Sequence, residues 1–178
     1  MLTTTLRAMW KDWGFAPSLF AQAKEFLDLA KRSGTPEGYI RASIVFSLMS
    51  FEAYWGNVIR GYIQQKGNGI HNPAKLPEIQ KALNNRFSIK TALEAWPLLL
   101  VGQPLDTSTK LYENFDNFRE YRNCLVHGKI SEPIRSSWGK LAQDVETISD
   151  AGLAHQTARE MVKVVALHFG YAIPTWAA

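Results

Sequence analysis

Three side chains around residue 125 are of the types that chemistry on a phosphodiester needs. Arg122 and Asn123 are adjacent, and His127 follows Asn123 by four residues, in the stretch Arg-Asn-Cys-Leu-Val-His. An arginine can neutralise a phosphate, and a histidine can transfer a proton near neutral pH. RNA carries its own nucleophile, the 2′-hydroxyl, so these residues suffice for cleavage of RNA without a metal ion.

A helix must hold these side chains in place. The apolar residues of this region recur at steps of three and four, which predicts a helix from about 107–110 to Val126; they are Leu111, Phe115, Phe118 and Leu125. Arg122 falls on this apolar stripe, where an unpaired charge costs roughly several kcal/mol. Asn123 and His127 share a polar flank of the same helix with Arg119.

Two interpretations of Arg122 stay open. In the first, Arg122 and His127 converge on an open cleft and act on a substrate. In the second, Arg122 pairs with Glu52, which sits beside the apolar stripe of an earlier helix, and His127 bonds the last carbonyls of its own helix. The second interpretation makes the chain a non-catalytic helical module that binds a protein partner or RNA.

The positive charge of the chain concentrates around the motif. The 178 residues carry a net charge of +4, and residues 119–140 hold five cations against two carboxylates, which is +3 of that total. A basic surface of this kind suits an anionic partner, although a solvated face with counter-charges from elsewhere gives the same pattern. Arg119 and Lys129 are the candidates for contact with an RNA substrate.

The apolar period is helical nearly throughout and predicts an all-α bundle of four to five helices with a long second helix. We expect a single domain over residues 17–171, preceded by an N-terminal extension of residues 1–16. Other helices are predicted over about 17–32, 77–84, 88–100 (broken or kinked at Pro97) and 154–171, with an irregular or short-helical region over 131–152. The apolar stripe of the long helix consists of Ile40, Ile44, Leu48, Phe51, Trp55, Ile59 and Tyr62.

The composition argues against a disulfide-bonded protein, a metalloprotein and a membrane protein. One cysteine excludes an intrachain disulfide, and four scattered histidines with no His-x3-His pair predict no metal site and no cofactor. The apolar region from Ile40 to Ile63 contains Arg41, Glu52 and Arg60, so it reads as a buried helix and not as a membrane span. The start of the chain lacks the apolar core of a signal peptide. We therefore expect a cytoplasmic protein.

Two further residues have chemical side chains but ordinary interpretations. Cys124 precedes His127 by three residues, yet no third orienting group is in view, which favours an ordinary helix residue over a thiol nucleophile. His168 falls on the apolar side of the last helix and is interpreted as a satisfied core histidine.

The stretch Glu120-Tyr121-Arg122-Asn123-Cys124-Leu125-Val126-His127-Gly128 resembles the signature of the HEPN superfamily (higher eukaryotes and prokaryotes nucleotide-binding domains). Its motif is Arg, four to six residues, then His, often with Asn after the Arg. The resemblance implies a helical bundle that is usually a homodimer, with the two motif helices meeting at the dimer axis. Many members are metal-independent endoribonucleases of toxin–antitoxin and antiviral systems, and others have lost catalysis.

By this resemblance, Arg122 and His127 are the catalytic pair and Asn123 is their helper. The implied partners are RNA, a second copy that completes a composite site at the two-fold axis, and an antitoxin or other protein. One subclass carries a tyrosine two residues after the histidine, where a partner enzyme adds AMP. This chain has Lys129 at that position, which puts that form of regulation in doubt.

Overall fold

The structure, a computed structural model, describes residues 15–85, 87–126 and 147–178. These ranges contain six α-helices and no β-strand, which confirms the predicted all-α architecture. The helices are α1 (Phe15–Arg32), α2 (Glu37–Lys66), α3 (Leu76–Asn84), α4 (Ile89–Val101), α5 (Lys110–Val126) and α6 (Ile148–His168). Single 3₁₀ turns occur at Gly67–Gly69, Pro73–Lys75 and Thr175–Ala177.

The long helix α2 lies at the centre of the bundle, where it packs against α1, α5 and α6. Its 30 residues span about 45 Å. Phe51 and Trp55 are fully buried, so the predicted core stripe of this helix is confirmed. The edge of the Phe115 ring on α5 meets Phe51, with ring centroids 4.9 Å apart, and this contact helps to seat the motif helix on α2.

Small residues bring α1 and α2 close together. Ser43, Ser47 and Ser50 are fully buried on α2. The Ser43 hydroxyl donates to the backbone oxygen of Ala23 on α1 over 2.9 Å, and the other two hydroxyls donate to carbonyls of α2 itself. The buried hydroxyls therefore have acceptors, and these small side chains let the two helices approach each other at their positions.

The outward side of α2 is also apolar along its first half. Tyr39 and Met49 are each 37% exposed, and Phe46 between them is half-buried. Phe26 of α1 packs on this surface, with its ring 5.3 Å from Phe46 and 6.5 Å from Tyr39. We call this surface, made of Phe26, Tyr39, Ala42, Phe46, Met49 and Ala53, the α1–α2 apolar face.

The end of α4 is tied to the chain that follows α2. Pro97 does not break α4, which continues to Val101. Beyond it Gly102 has φ 86°, a left-handed conformation that favours glycine, and a Cβ there would lie 2.9 Å from Nδ1 of His71. The backbone amides of His71 and Asn72 donate to the carbonyls of Leu100 and Leu99, so this segment satisfies carbonyls at the C-terminal end of α4.

Helix α6 begins earlier than predicted. The last helix, predicted from about residue 154, starts at Ile148, where Thr147 and Asp150 form a capping box. The Thr147 hydroxyl accepts from the Asp150 amide over 3.1 Å, and the Asp150 carboxylate accepts from the Thr147 amide over 3.3 Å. The spacing Thr-x-x-Asp was the sequence signal for this start. Helix α1 begins at Phe15, and Ala16 in its first turn is buried.

An aromatic cluster joins α1, α6 and the C-terminal turn. The His155 ring of α6 stacks on Phe20 of α1 with 4.0 Å between centroids, and Trp176 packs on Phe20 and Tyr54. Burial, together with the nearby positive charges of Lys24 and Arg159, lowers the pKa of His155 to about 4. The neutral imidazole is therefore the form that the fold accommodates.

We expect His155 to make the protein less stable in weak acid. The pKa of His155 is about 4 in the folded protein and 6.5, its ordinary value, in the unfolded chain. Between these two pH values the unfolded chain binds a proton at this ring and the folded protein does not, so the free energy of unfolding falls as the pH drops. His155→Phe keeps a ring against Phe20 and removes the titration. Urea unfolding at pH 7.5 and pH 5 gives the drop in the free energy of unfolding between these pH values. This drop should be about 1 kcal/mol smaller in the variant than in the wild type. Identical pH dependence in both proteins would contradict the assignment.

Candidate functional site

Helix α5 brings the described motif residues to a seam with α2 and α4. Its first turn is held by Thr109, whose hydroxyl accepts from the Tyr112 amide over 3.2 Å. Phe115 and Phe118 are 1% and 0% exposed, which confirms the predicted inward stripe of this helix at those positions. Arg122 follows one turn later on the same side, with an 18% exposed side chain.

Arg122 forms an ion pair with Glu52 of α2. Its Nη2 donates to Oε2 of Glu52, whose side chain is 27% exposed. This contact is the one named by the second interpretation of the sequence. Burial raises the pKa of Glu52 above its ordinary value, while the positive charge and hydrogen bond of Arg122 act in the opposite direction.

Asn123 completes the set of contacts on Arg122. Nη1 of Arg122 donates to Oδ1 of Asn123 over 3.0 Å. Because a guanidinium can only donate, the amide must turn its oxygen toward Arg122 and its two N–H donors away from it. Arg122 and Asn123 therefore form one unit whose remaining hydrogen-bonding groups are all donors, apart from the second lone pair of that oxygen.

Arg119 is held by an ion-pair cluster one turn earlier. Its Nε and Nη2 lie 2.7 and 2.6 Å from Oδ1 of Asp116, and Lys90 of α4 lies 2.8 Å from the other oxygen of Asp116. Burial acts to raise the pKa of Asp116, but the bonds from Lys90 and Arg119 together bring it below its ordinary value. Arg119, proposed from the sequence to contact substrate, is thus engaged in joining α5 to α4.

A last polar contact completes the seam. The Tyr112 hydroxyl donates to Glu94 of α4 over 3.2 Å. We call the charged residues along this line the α5 polar seam: Glu52, Lys90, Glu94, Asp116, Arg119 and Arg122. Three of them are cations and three are carboxylates, so the charges of the α5 polar seam balance one another.

Two of the five predicted site residues, His127 and Lys129, lie outside the described residues. The structure brings together Arg122 and Asn123, and it places Arg119 one turn away in the same seam.

Cys124 is buried. His168 is half-buried and bonds the backbone oxygen of Gln103 over 3.2 Å, so it has a partner but lies less deep than predicted.

Sequence reasoning missed Asp116 and Lys90. Asp116 precedes Arg119 by three residues, a spacing at which opposite charges meet on a helix, so this half of the cluster was readable. Lys90 comes from another helix, 26 residues away in the chain, and no local pattern indicates its contact with Asp116.

Comparison with protein-family models, with curated proteins and with solved structures finds no match to this chain. The resemblance to the HEPN superfamily therefore rests on the motif residues themselves.

None of the described helices combines the length and the apolarity that a membrane crossing requires. Among the same residues, no group of three or more histidine, cysteine or acidic side chains lies close enough to hold a metal ion.

The Arg122–Glu52 pair should contribute measurably to stability. Glu52→Met leaves a half-buried guanidinium without its carboxylate, and we expect the free energy of unfolding to fall by about 1–3 kcal/mol. The double variant Glu52→Met/Arg122→Met removes both charges and should recover much of this loss. Urea unfolding of the wild type, the two single variants and the double variant gives the coupling energy.

The exposed pair Lys75–Glu78 is the matched control, since its side chains are 50% and 73% exposed. Its coupling energy should be about 0.5 kcal/mol or less. A coupling between residues 52 and 122 no larger than this control would show that the contact is a surface pair of little energetic weight.

Proposed function

We propose that the protein is a metal-independent endoribonuclease of the HEPN type, with Arg122, Asn123 and His127 as its catalytic residues. The observation that supports this most is the hydrogen bond between Arg122 and Asn123, which makes them one group of donors at the end of α5. His127 follows Asn123 by four residues, so the residue proposed to transfer the proton is close in sequence to this group of donors.

Each residue has a chemical role in this proposal. His127 takes the proton of the 2′-hydroxyl, whose oxygen bonds to phosphorus while the bond from phosphorus to the 5′-oxygen breaks. The products are a 2′,3′-cyclic phosphate and a 5′-hydroxyl. Arg122 and the outward N–H groups of Asn123 donate to the phosphoryl oxygens as their charge builds. The 5′-oxygen needs a proton as it leaves, and His127 of a second chain supplies it.

The need for two histidines is a reason to propose a homodimer. Within the described residues, the α1–α2 apolar face supports a partner contact, because Tyr39 and Met49 are 37% exposed beside the half-buried Phe46.

The biological part of the proposal is a toxin or phage-defence effector that acts on RNA in the cytoplasm and is restrained by an antitoxin or other protein. Growth arrest on expression, relieved by Arg122→Ala, is the expected phenotype.

Cleavage itself is the central test. Incubated with total RNA in EDTA, the wild type should cut and leave cyclic-phosphate ends. His127→Ala should slow cutting by about 10²–10⁴-fold, because the proton acceptor is lost. Arg122→Ala should slow it by about 10²–10³-fold, because charge on the phosphoryl oxygens is no longer stabilised.

Lys75→Ala, which removes an exposed cation away from α5, is the control and should cut as the wild type does. Equal cutting by the wild type and the His127 variant, with unchanged helicity, would show that the activity does not come from this motif.

The Arg122–Glu52 pair also favours a second candidate, a non-catalytic helical module. In such a protein, the pair would only stabilise α5 on α2. RNA would then be left intact by the wild type, and Arg122→Ala would change stability without changing any RNA-processing signal. The cleavage assay and the unfolding experiment together separate the two functions.

The proposed dimer gives a separate prediction. Phe46→Glu places a charge in the α1–α2 apolar face, so it should shift the protein toward monomer in light scattering coupled to size exclusion. Gln64→Glu, a matched control, adds the same charge at an exposed position farther along α2 and should leave the oligomeric state unchanged. A wild type that is monomeric at all accessible concentrations would exclude the homodimer, and cutting should fall with the dimer fraction if the site needs two chains.

A further inference from the structure

We propose that Glu52 competes with an incoming phosphate for Arg122 and thereby sets how tightly this site binds an anion. The identity of that anion as an RNA phosphodiester rests on the proposed function. The competition itself concerns any tetrahedral oxyanion, and it can be tested without RNA.

The geometry gives Glu52 the place that a phosphate oxygen would take. A guanidinium binds oxyanions through its terminal N–H groups. On Arg122, Nη2 is directed to the Glu52 carboxylate and Nη1 to Asn123. The third nitrogen, Nε, is buried and has no hydrogen-bond partner among the described residues. Nη1 and Nη2 each keep a second N–H, so an anion bound through both terminal nitrogens lies beside the Glu52 oxygen and is opposed by its charge unless it displaces that oxygen.

The pair is accessible enough for such an exchange. The Arg122 and Glu52 side chains are 18% and 27% exposed, so both reach solvent at the rim of the seam. An anion can approach without separation of α5 from α2. The Asn123 amide, which turns its donors away from Arg122, is then placed to bind a second oxygen of the same anion.

The charge balance of the α5 polar seam makes the carboxylate decisive. Arg119 and Lys90 are already held by Asp116 and do not supply a spare cation. Removal of the charge on Glu52 leaves Arg122 as the one seam cation without a carboxylate. Burial already raises the pKa of Glu52, so the charged form of this side chain is held mainly by Arg122.

The test is a titration of the full chain with inorganic phosphate at fixed pH, followed through the Arg122 side-chain NMR signal. We expect Glu52→Gln, which keeps the shape and removes the charge, to lower the Kd for phosphate by about tenfold or more relative to the wild type. Asp116→Asn is the matched control: it removes a charge from the same seam but from Arg119, and it should change the Kd at Arg122 by much less.

Three outcomes would overturn the competition: no change in the Kd with Glu52→Gln, weaker binding, or an equal gain in the Asp116 variant, which would indicate net charge alone. If Glu52→Gln does not fold by circular dichroism, Glu52→Asp withdraws the carboxylate by one methylene and should tighten phosphate binding severalfold. If Glu52→Gln binds phosphate more tightly but neither the wild type nor any variant cleaves RNA, the endoribonuclease proposal is wrong and the competition is supported. If the protein cleaves RNA but Glu52→Gln leaves the phosphate Kd unchanged, the competition is wrong and the endoribonuclease proposal is unaffected.

Discussion

A charged side chain in an apolar stripe must find a counter-charge, and this requirement shapes the centre of the molecule. Arg122 lies one turn beyond Phe118, which is fully buried, and it reaches Glu52 on α2. The contact attaches the end of α5 to the middle of the longest helix. Since the partners are 70 residues apart in the chain, it also fixes how two distant segments meet.

The long helix α2 makes this possible because almost every side of it is in contact. One side packs on α1 through small residues such as Ser43, another meets α5 at Phe51, and the outward side carries the α1–α2 apolar face. A helix that is apolar nearly all round is a core helix. Arg41 and Arg60 of this helix are exposed, whereas Glu52 is half-buried. Its position next to Arg122 accounts for a carboxylate in such surroundings.

The periodicity of the sequence was enough to predict the helices, because the inward residues of α2 and α5 recur at steps of three and four and Trp55 and Phe115 are indeed buried. The apolar pattern does not predict the start of α6, because it is weak there and the helix begins at a polar capping box formed by Thr147 and Asp150. Pro97 was expected to break or kink α4, but a proline need not end a helix that is packed on a core.

The candidate site was harder to predict than the fold. Adjacent residues such as Arg122 and Asn123 could be grouped from spacing alone, and Glu52 was identified as one of two outcomes. The choice between an open cleft and an ion pair depends on how α2 and α5 cross, which no local pattern contains. The engagement of Arg119 by Asp116 and Lys90 has the same origin, since a helix from another part of the chain supplies one of the partners. The roles of His127 and Lys129 stay predictions.

The short segment after α2 has a mechanical consequence. His71 and Asn72 are bonded to the last carbonyls of α4, and Gly102 allows the His71 ring to lie against the turn that follows. The far ends of α2 and α4 are therefore braced together. These two backbone bonds oppose sliding of one helix along the other at that end. An insertion between residues 69 and 72 would remove the brace and let the two helices shear independently.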